Sequence, residues 1–216
     1  MTAPRQPHAP REPHAPRLVL ASASPARLAM LRAAGMDPQV VVSGVDESTV
    51  DATDAGGLAL VLARMKASEV AARLAGTADA LVVGCDSVLA LGGEILGKPT
   101  GAADAARRWR RMRGTTGTLH TGHCLIHTGT GKRVEAVAAT VVHFADVTDA
   151  EIDSYVDSGE PLSVAGAFTI DGLGGSFVES LDGDHGTVIG ISLPLLRRLL
   201  RELGFSVTDL WRPRTG

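Results

Sequence analysis

Three residues near the start of the chain are of types that hold anions. Ser22, Ser24 and Arg27 stand in RLVLASASPARLAMLRAAG (residues 17–35), where an apolar run hands over to a stretch with helical spacing. A strand-to-helix junction exposes unpaired backbone N–H groups and the positive end of a helix dipole, which makes it a ready anion site. The serines add small hydroxyl donors. Arg27, one turn in, presents a planar fork suited to phosphate. The competing reading is that Ser24 only caps the helix and Arg27 is solvated. Carboxylates follow two other expected strands, Asp46 and Glu47 in VDES and Asp86 in GCDS. Acidic groups at strand ends, beside an anion cradle, suit a Mg²⁺–phosphate site in which substrate phosphates complete the metal shell. Metal and lysine charge would screen a polyphosphate from incoming hydroxide, and a carboxylate can take the proton of the attacking water. Taken singly, each carboxylate also reads as a turn or cap residue.

The lysines are Lys66, Lys98 and Lys132; every other basic side chain apart from histidine is arginine. Lys66 and Lys98 are candidates to face phosphate as point charges, with a solvated side chain as the alternative for each. Gly92, Gly97 and Lys98 match the spacing of a P-loop, but Pro99 takes the place of its metal-binding hydroxyl. Pro99 also disfavours helical geometry at Lys98, so the P-loop reading fails. His120, His123, Cys124 and His127 suggest zinc, but on a strand His120 and His123 point to opposite faces. His123 and His127 share a face, yet lie roughly 13 Å apart, too far for one ion. Arg107, Arg108, Arg110, Arg111 and Arg113 crowd one helix, either as a nucleic-acid or polyphosphate surface or as a solvated face.

These residues need elements to position them. Residues 17–22 read as a buried strand, Ser24 as an N-cap, Pro25 as the first helical residue and Gly35 as the helix end. Residues 39–44 read as a second strand. Residues 58–74 read as a helix with Leu58, Leu62, Met65 and Ala72 on its packed side and Lys66 off it. Residues 80–93 read as a strand broken or bulged near Gly84, followed by a short strand in EILGKP. Thr100 or Asp104 opens the arginine helix, and Gly114 closes it. Residues 118–146 read as two long antiparallel strands around a Gly-rich turn at 128–131. Thr148 and Ser192 cap two later helices, and GAFTIDG and FVESLDG read as short strands between them. SGEPLSVAGAF (158–168) and SLDGDHGTVIGISLP (180–194) are irregular, and long irregular segments in a compact domain are often functional. The fold class is α/β with a mixed sheet.

Composition excludes several classes. With 216 residues and 44% hydrophobic content the chain can bury a core, and 3% aromatics leaves little for base stacking. The net charge is −3, and beyond the first seventeen residues 18 basic side chains face 23 acidic ones, so no global basic field draws in nucleic acid. No segment approaches the ~20 apolar residues of a membrane span, and the N-terminus lacks a signal-peptide core. Two cysteines without a CxxC fit a reducing cytoplasm. PHAPR occurs at residues 7–11 and again at 13–17, and residues 1–16 read as a disordered Pro-rich tail, with His8 and His14 solvated rather than binding metal, 17–211 as one domain and 212–216 as a C-terminal tail.

The pieces LASASPARLAMLRAAG, VDES, LARMKASEVA, VGCDSVLALGGEILGKP, HTGHCL, EIDSYVDSGEPLSVAGAFTIDGLGG and VIGISLPLLRRLLRELG together resemble the Maf family of nucleoside triphosphate pyrophosphatases, also known as septum formation inhibitor proteins. The resemblance covers nearly all of residues 17–205. It implies an elongated mixed sheet with two lobes around a central cleft, similar to the inosine triphosphate pyrophosphatases. It implies a nucleoside triphosphate substrate, cleaved between its α- and β-phosphates, a divalent cation (Mg²⁺ or Mn²⁺) and a homodimer. By resemblance, Ser22, Ser24 and Arg27 match the phosphate-binding start, and Lys66 and Lys98 the two lysines near the triphosphate. Asp86 matches the catalytic base and, with Glu47, a metal ligand; Ser87 joins the substrate-binding residues in place of a family Thr. Departures stand at Ala26, Ala29, Thr115, Ser163 and Val164, where the family more often has Arg, Glu, Arg, Asp and Lys, and at Asp171, where its dTTP/UTP-preferring branch commonly has Gln. The absent Arg at Thr115 keeps open a second reading, a regulator of division that senses a nucleotide without cleaving it.

Overall fold

The computed structural model of the chain describes residues 16–47, 50, 54–76 and 79–212. The expected N-terminal tail up to residue 15, with His8 and His14, lies outside the described residues, as does 213–216. Arg212, the first residue of the expected C-terminal tail, is tied down: its N–H donates to Gly35 O at 2.8 Å.

Strand β1 (Arg17–Leu20) runs into helix α1 (Pro25–Ala33) as its residues dictate. Ser24 Oγ accepts from Arg27 N at 3.3 Å, Pro25 opens the helix, and Gly35 follows it at φ +83°. Strand β2 is only Gln39–Val40, shorter than expected. Arg73 takes the Val42 carbonyl at 2.9 Å and also that of Ser43, so those groups leave the ladder for a side chain.

Helix α2 (Ala55–Leu74) starts at an Asp54 cap, whose carboxylate accepts from Gly57 N at 2.7 Å. Its buried face is Ala55, Ala59, Leu62, Ala63, Lys66, Ala67 and Val70; of the expected packed residues Leu62 is buried, Leu58 and Met65 are half-buried, and Ala72 is exposed. Lys66 therefore lies on the packed face, contrary to the placement from its Leu and Met positions. The reason is steric: small residues let this helix sit unusually close to the sheet. A Cβ on Gly84 would come 2.4 Å from Ala63 O, and one on Gly122 would come 2.2 Å from Ala59 O. Gly84 thus marks a close approach, not a break, and β3 (Ala80–Leu91) runs through it unbroken.

The rest follows as β4 (Glu94–Leu96), α3 (Ala102–Met112), β5 (Thr116–His127), β6 (Arg133–Phe144), α4 (Asp149–Asp157), β7 (Val178–Asp182), α5 (His185–Ile189) and α6 (Leu193–Glu202). Gly101, not Thr100 or Asp104, is the α3 cap; Asp104 sits in the first turn and accepts from Thr100 N at 3.0 Å. Thr148 and Ser192 cap α4 and α6 as expected, Thr148 in a full capping box with Glu151. GAFTIDG is not a strand. Gly166 and Ala167 are left-handed at φ +72° and +59°, which no strand can pass through. FVESLDG supplies β7.

Among the described residues, seven strands form one sheet in the order β2-β1-β3-β5-β6-β7, with β4 on β3. β2, β1 and β3 are parallel, and β3, β5, β6 and β7 are antiparallel, so the expected mixed sheet flanked by helices is present. Two cores share β3. Leu81, Val83 and Cys85 pack with β1, Leu31 and the leucines of α6. Leu89 and Leu91 pack instead with Trp109, Phe144, Tyr155 and Phe168. Trp109 meets Phe144 and Tyr155 edge-on at 5.8 and 5.5 Å, and its indole N–H donates to Ala167 O at 2.7 Å. Asp86 and Ser87 fall where β3 passes from one core to the other. Among the described residues no helix is long and apolar enough to cross a membrane.

Candidate active site

Between the two cores lies a cleft of about 940 Å³. Its lining includes Ser22, Ser24, Arg27, Glu47, Lys66, Asp86, Ser87 and Lys98, every residue that the resemblance assigns to substrate, metal or catalysis. Asp46 is not among the lining residues.

The floor is built on secondary structure. The buried face of α2 carries Lys66 toward β3, where its ammonium sits 2.7 Å from Glu47 Oε1 and 2.5 Å from Asp86 Oδ1. Lys66 and Asp86 are buried and Glu47 is exposed at the cleft rim. Burial pushes the Asp86 carboxyl above its ordinary range, against the opposing pull of Lys66 and then Arg27, with Glu47 reinforcing the rise. A carboxylate with a raised pKa is a better base near neutral pH than an ordinary one.

The junction of β1 and α1 forms the neighbouring corner. Ser22 Oγ accepts from Ser24 N and from Arg27 Nη1, each at 3.1 Å. Arg27 Nε donates to Gly190 O at 2.7 Å and Nη2 to Ser87 Oγ at 3.1 Å. Arg27 is therefore not the solvated side chain of the competing reading; it is buried, and it organises this corner. Ser24 does both jobs expected of it, capping the helix and lining the cleft.

Lys98 stands on the opposite side of the cleft, exposed, and joins none of the floor's hydrogen bonds. The turn that carries it is held from α3, where Arg108 Nη1 donates to Gly97 O at 2.7 Å. Ser163, Val164, Phe168, Thr169 and Asp171 continue this far wall. Glu160 clamps the loop behind Asp171: its carboxylate accepts from Thr169 Oγ1 at 2.5 Å and from Leu173 N and Gly174 N at 3.0 Å each. Burial alone would raise the Glu160 carboxyl, but these donors hold it below its ordinary range.

Two carboxylates meeting on one ammonium have oxygens no further apart than the sum of those two contacts. Such a pair of hard oxygen donors fits Mg²⁺ or Mn²⁺, which commonly take one or two carboxylates and fill the rest of the shell with phosphate and water. The described residues hold no group of three or more His, Cys, Asp or Glu placed for a metal. The histidine run is accordingly no zinc site. His123 is buried, its Nε2 accepting from Ser192 N at 2.8 Å and its Nδ1 3.0 Å from Thr121 O.

The arginine helix is equally occupied. Arg111 grips Glu94 with both nitrogens, Arg110 meets Asp153 at 3.0 Å, Arg113 meets Asp149 at 2.8 Å, and Arg107 and Arg108 share Asp104. These pairs give the helix the salt-bridged face of the second sequence reading. Thr115 does not line the cleft; its hydroxyl donates to Met112 O at 2.7 Å and closes α3. Spacing missed two contributors. Arg73 fixes the segment leading to Glu47, and Thr121 lies behind Ser87; strand pairing of Ser87 with Thr121 is the signal that would have found the second.

Comparison with known proteins places the chain in a family. The profile of the Maf-like protein family matches residues 17–203. A nucleoside triphosphate pyrophosphatase of Salinispora tropica is 62% identical over 201 residues, covering 92% of this chain and 89% of that one. Proteins of the same name from Streptomyces coelicolor and Microcystis aeruginosa are 59% and 47% identical, covering 91% and 90% of this chain and 95% and 98% of their own. With a cleft of this composition, and likeness along nearly its whole length, the chain belongs to the Maf family.

Proposed function

We propose that the chain is a metal-dependent nucleoside triphosphate pyrophosphatase, releasing a nucleoside monophosphate and pyrophosphate. One observation carries the reading: Lys66 draws Glu47 and Asp86 together on the floor of a cleft whose adjoining corner is organised by the buried Arg27. The names of its relatives support it.

The triphosphate lies along the floor. Ser22 and Ser24 donate hydrogen bonds to its oxygens, and Arg27, Lys66 and Lys98 offset its charge. Asp86 accepts a proton from a water molecule as that oxygen attacks the α-phosphorus. The bond from the α-phosphorus to the α–β bridging oxygen breaks, and pyrophosphate leaves with that electron pair. Glu47 and Asp86 are the residues that would hold the divalent cation, which supplies charge neutralisation to the phosphates when bound. Lys66, between the two carboxylates, keeps them at one point. The reading includes a homodimer and a cytoplasmic setting, in which the buried thiols Cys85 and Cys124 stay free.

The test is pyrophosphate release from a panel of normal and modified nucleoside triphosphates with Mg²⁺ or Mn²⁺, using wild type and Asp86→Asn. Turnover by wild type alone is the expected result. Tight binding without turnover would favour the nucleotide-sensing regulator, and equal turnover by both proteins would remove Asp86 from its role.

A further inference from the structure

Arg27 is a buried cation whose hydrogen-bond partners are neutral: the Gly190 carbonyl and the hydroxyls of Ser22 and Ser87. Behind Ser87 the bonding continues. Ser87 Oγ lies 2.8 Å from Thr121 Oγ1, and Thr121 Oγ1 donates to Thr187 O at 2.7 Å. Thr121 and Thr187 are both 0% exposed, so no bulk water competes for these bonds.

The direction of this chain is fixed by its far end. A carbonyl oxygen only accepts, so the Thr121 proton points at Thr187. Thr121 then has only lone pairs to offer Ser87, and the Ser87 proton points at Thr121. Ser87 in turn offers its lone pair to Arg27. Bonds run one way, from guanidinium to Ser87, to Thr121, to the backbone of α5, and each polarises the next. Ser22 has the opposite polarity. Its oxygen accepts from both Ser24 N and Arg27, which leaves its proton free for a ligand.

We propose that Thr121 is a positioning residue for Arg27. Acting through Ser87, it fixes the guanidinium fork at the phosphate corner and keeps the Ser87 proton out of the cleft. Thr121 does not itself line the cleft. Ser87 consequently offers a ligand only an acceptor, so the phosphate oxygens, which are acceptors too, fall to Ser22, Ser24 and Arg27. The proposal rests on the reading of Arg27 as a phosphate-binding residue.

The experiment measures binding of magnesium tripolyphosphate by calorimetry, and kcat and KM for a turned-over nucleotide, in Thr121→Val, Thr121→Ser, Arg27→Lys and the Thr121→Val/Arg27→Lys double variant. Thr121→Val keeps the shape and removes the hydroxyl. It is expected to weaken tripolyphosphate binding, and to lower kcat/KM, about tenfold. Thr121→Ser restores both to within about twofold. In the Arg27→Lys background, which lacks the fork, Thr121→Val adds less than about twofold. Ser87→Ala cuts the same path one step earlier and stands in if Thr121→Val does not fold; it is expected to show the same dependence on Arg27. A merely structural Thr121 would give equal losses in both backgrounds, and that result overturns the proposal. So does unchanged binding by a folded Thr121→Val. If wild type binds tripolyphosphate but turns over no nucleotide, the catalytic reading falls while the binding arm still decides this one. If wild type binds no tripolyphosphate, both fall.

Discussion

The two sides of the cleft are made differently. The floor stands on β3, α2 and the β1–α1 junction, and its polar groups bond mainly to one another: Lys66 to Glu47 and Asp86, Arg27 to Ser22 and Ser87. The far wall is a run of tight turns around Ser163, Val164 and Asp171, held from behind by Glu160. A floor of interlocked charges tolerates little change, because removing one partner strands the others in a low-dielectric site. A wall whose exposed side chains point at a ligand can vary freely while its clamp holds. Three of the departures from the Maf pattern, at 163, 164 and 171, stand on that wall. Under the proposed function the chemistry belongs to the floor, and the wall is where a change of nucleotide preference is to be sought.

The sharpest way to break this contrast is at Asp86. Asp86→Asn keeps the shape and loses the base, so kcat should fall about a thousandfold, near 4 kcal/mol of barrier, with the circular dichroism spectrum unchanged. A loss under tenfold would take the chemistry off the floor. Next comes the closeness of α2 to the sheet. Gly84→Ala forces a methyl group against the Ala63 carbonyl and should cost about 3 kcal/mol in urea unfolding, together with most activity as Lys66 shifts.

A smaller effect concerns pH. Burial holds the His123 pKa down to about 4, so the folded state stays neutral where the unfolded chain takes up a proton. Between roughly pH 6.5 and 4 the unfolded state binds more protons, so stability is present above that window and lost as pH falls through it. About 2 kcal/mol should disappear between pH 7 and pH 5, and His123→Gln should flatten the dependence. The smallest effect tests the wall. Asp171→Asn should re-rank the nucleotide panel by up to about tenfold in kcat/KM while tripolyphosphate affinity stays within twofold. If affinity for tripolyphosphate moved as much as the ranking, wall and floor would not be separable.

Much of this was legible in the residues themselves. Ser24, Pro25 and Gly35 bracket α1, Thr148 opens α4, and of the residues chosen for the phosphate and metal chemistry all but Asp46 line one cleft. What spacing could not give was contact across elements. Gly84 looks like a strand breaker until Ala63 and Ala67 are seen lying over it. Lys66 looks to lie off the packed side while Leu58, Leu62, Met65 and Ala72 define it, yet the buried face is centred on alanines, with Leu62 and Val70, and includes Lys66. The strand expected to reach residue 44 stops because Arg73, some thirty residues away in sequence, takes its carbonyls. GAFTIDG has strand composition but turns left-handed at Gly166 and Ala167. The polarity of Ser87 depends on Thr121, which only pairing of β3 with β5 brings near.

One strand threads both cores, and its ladder to β5 is unbroken from Leu81 to Ala90. A hinge at Asp86 would have to tear that ladder in its middle. Opening the cleft by such a hinge would cost the paired backbone groups on either side of Asp86. Amide hydrogens of residues 84–89 should accordingly exchange only when the whole domain unfolds.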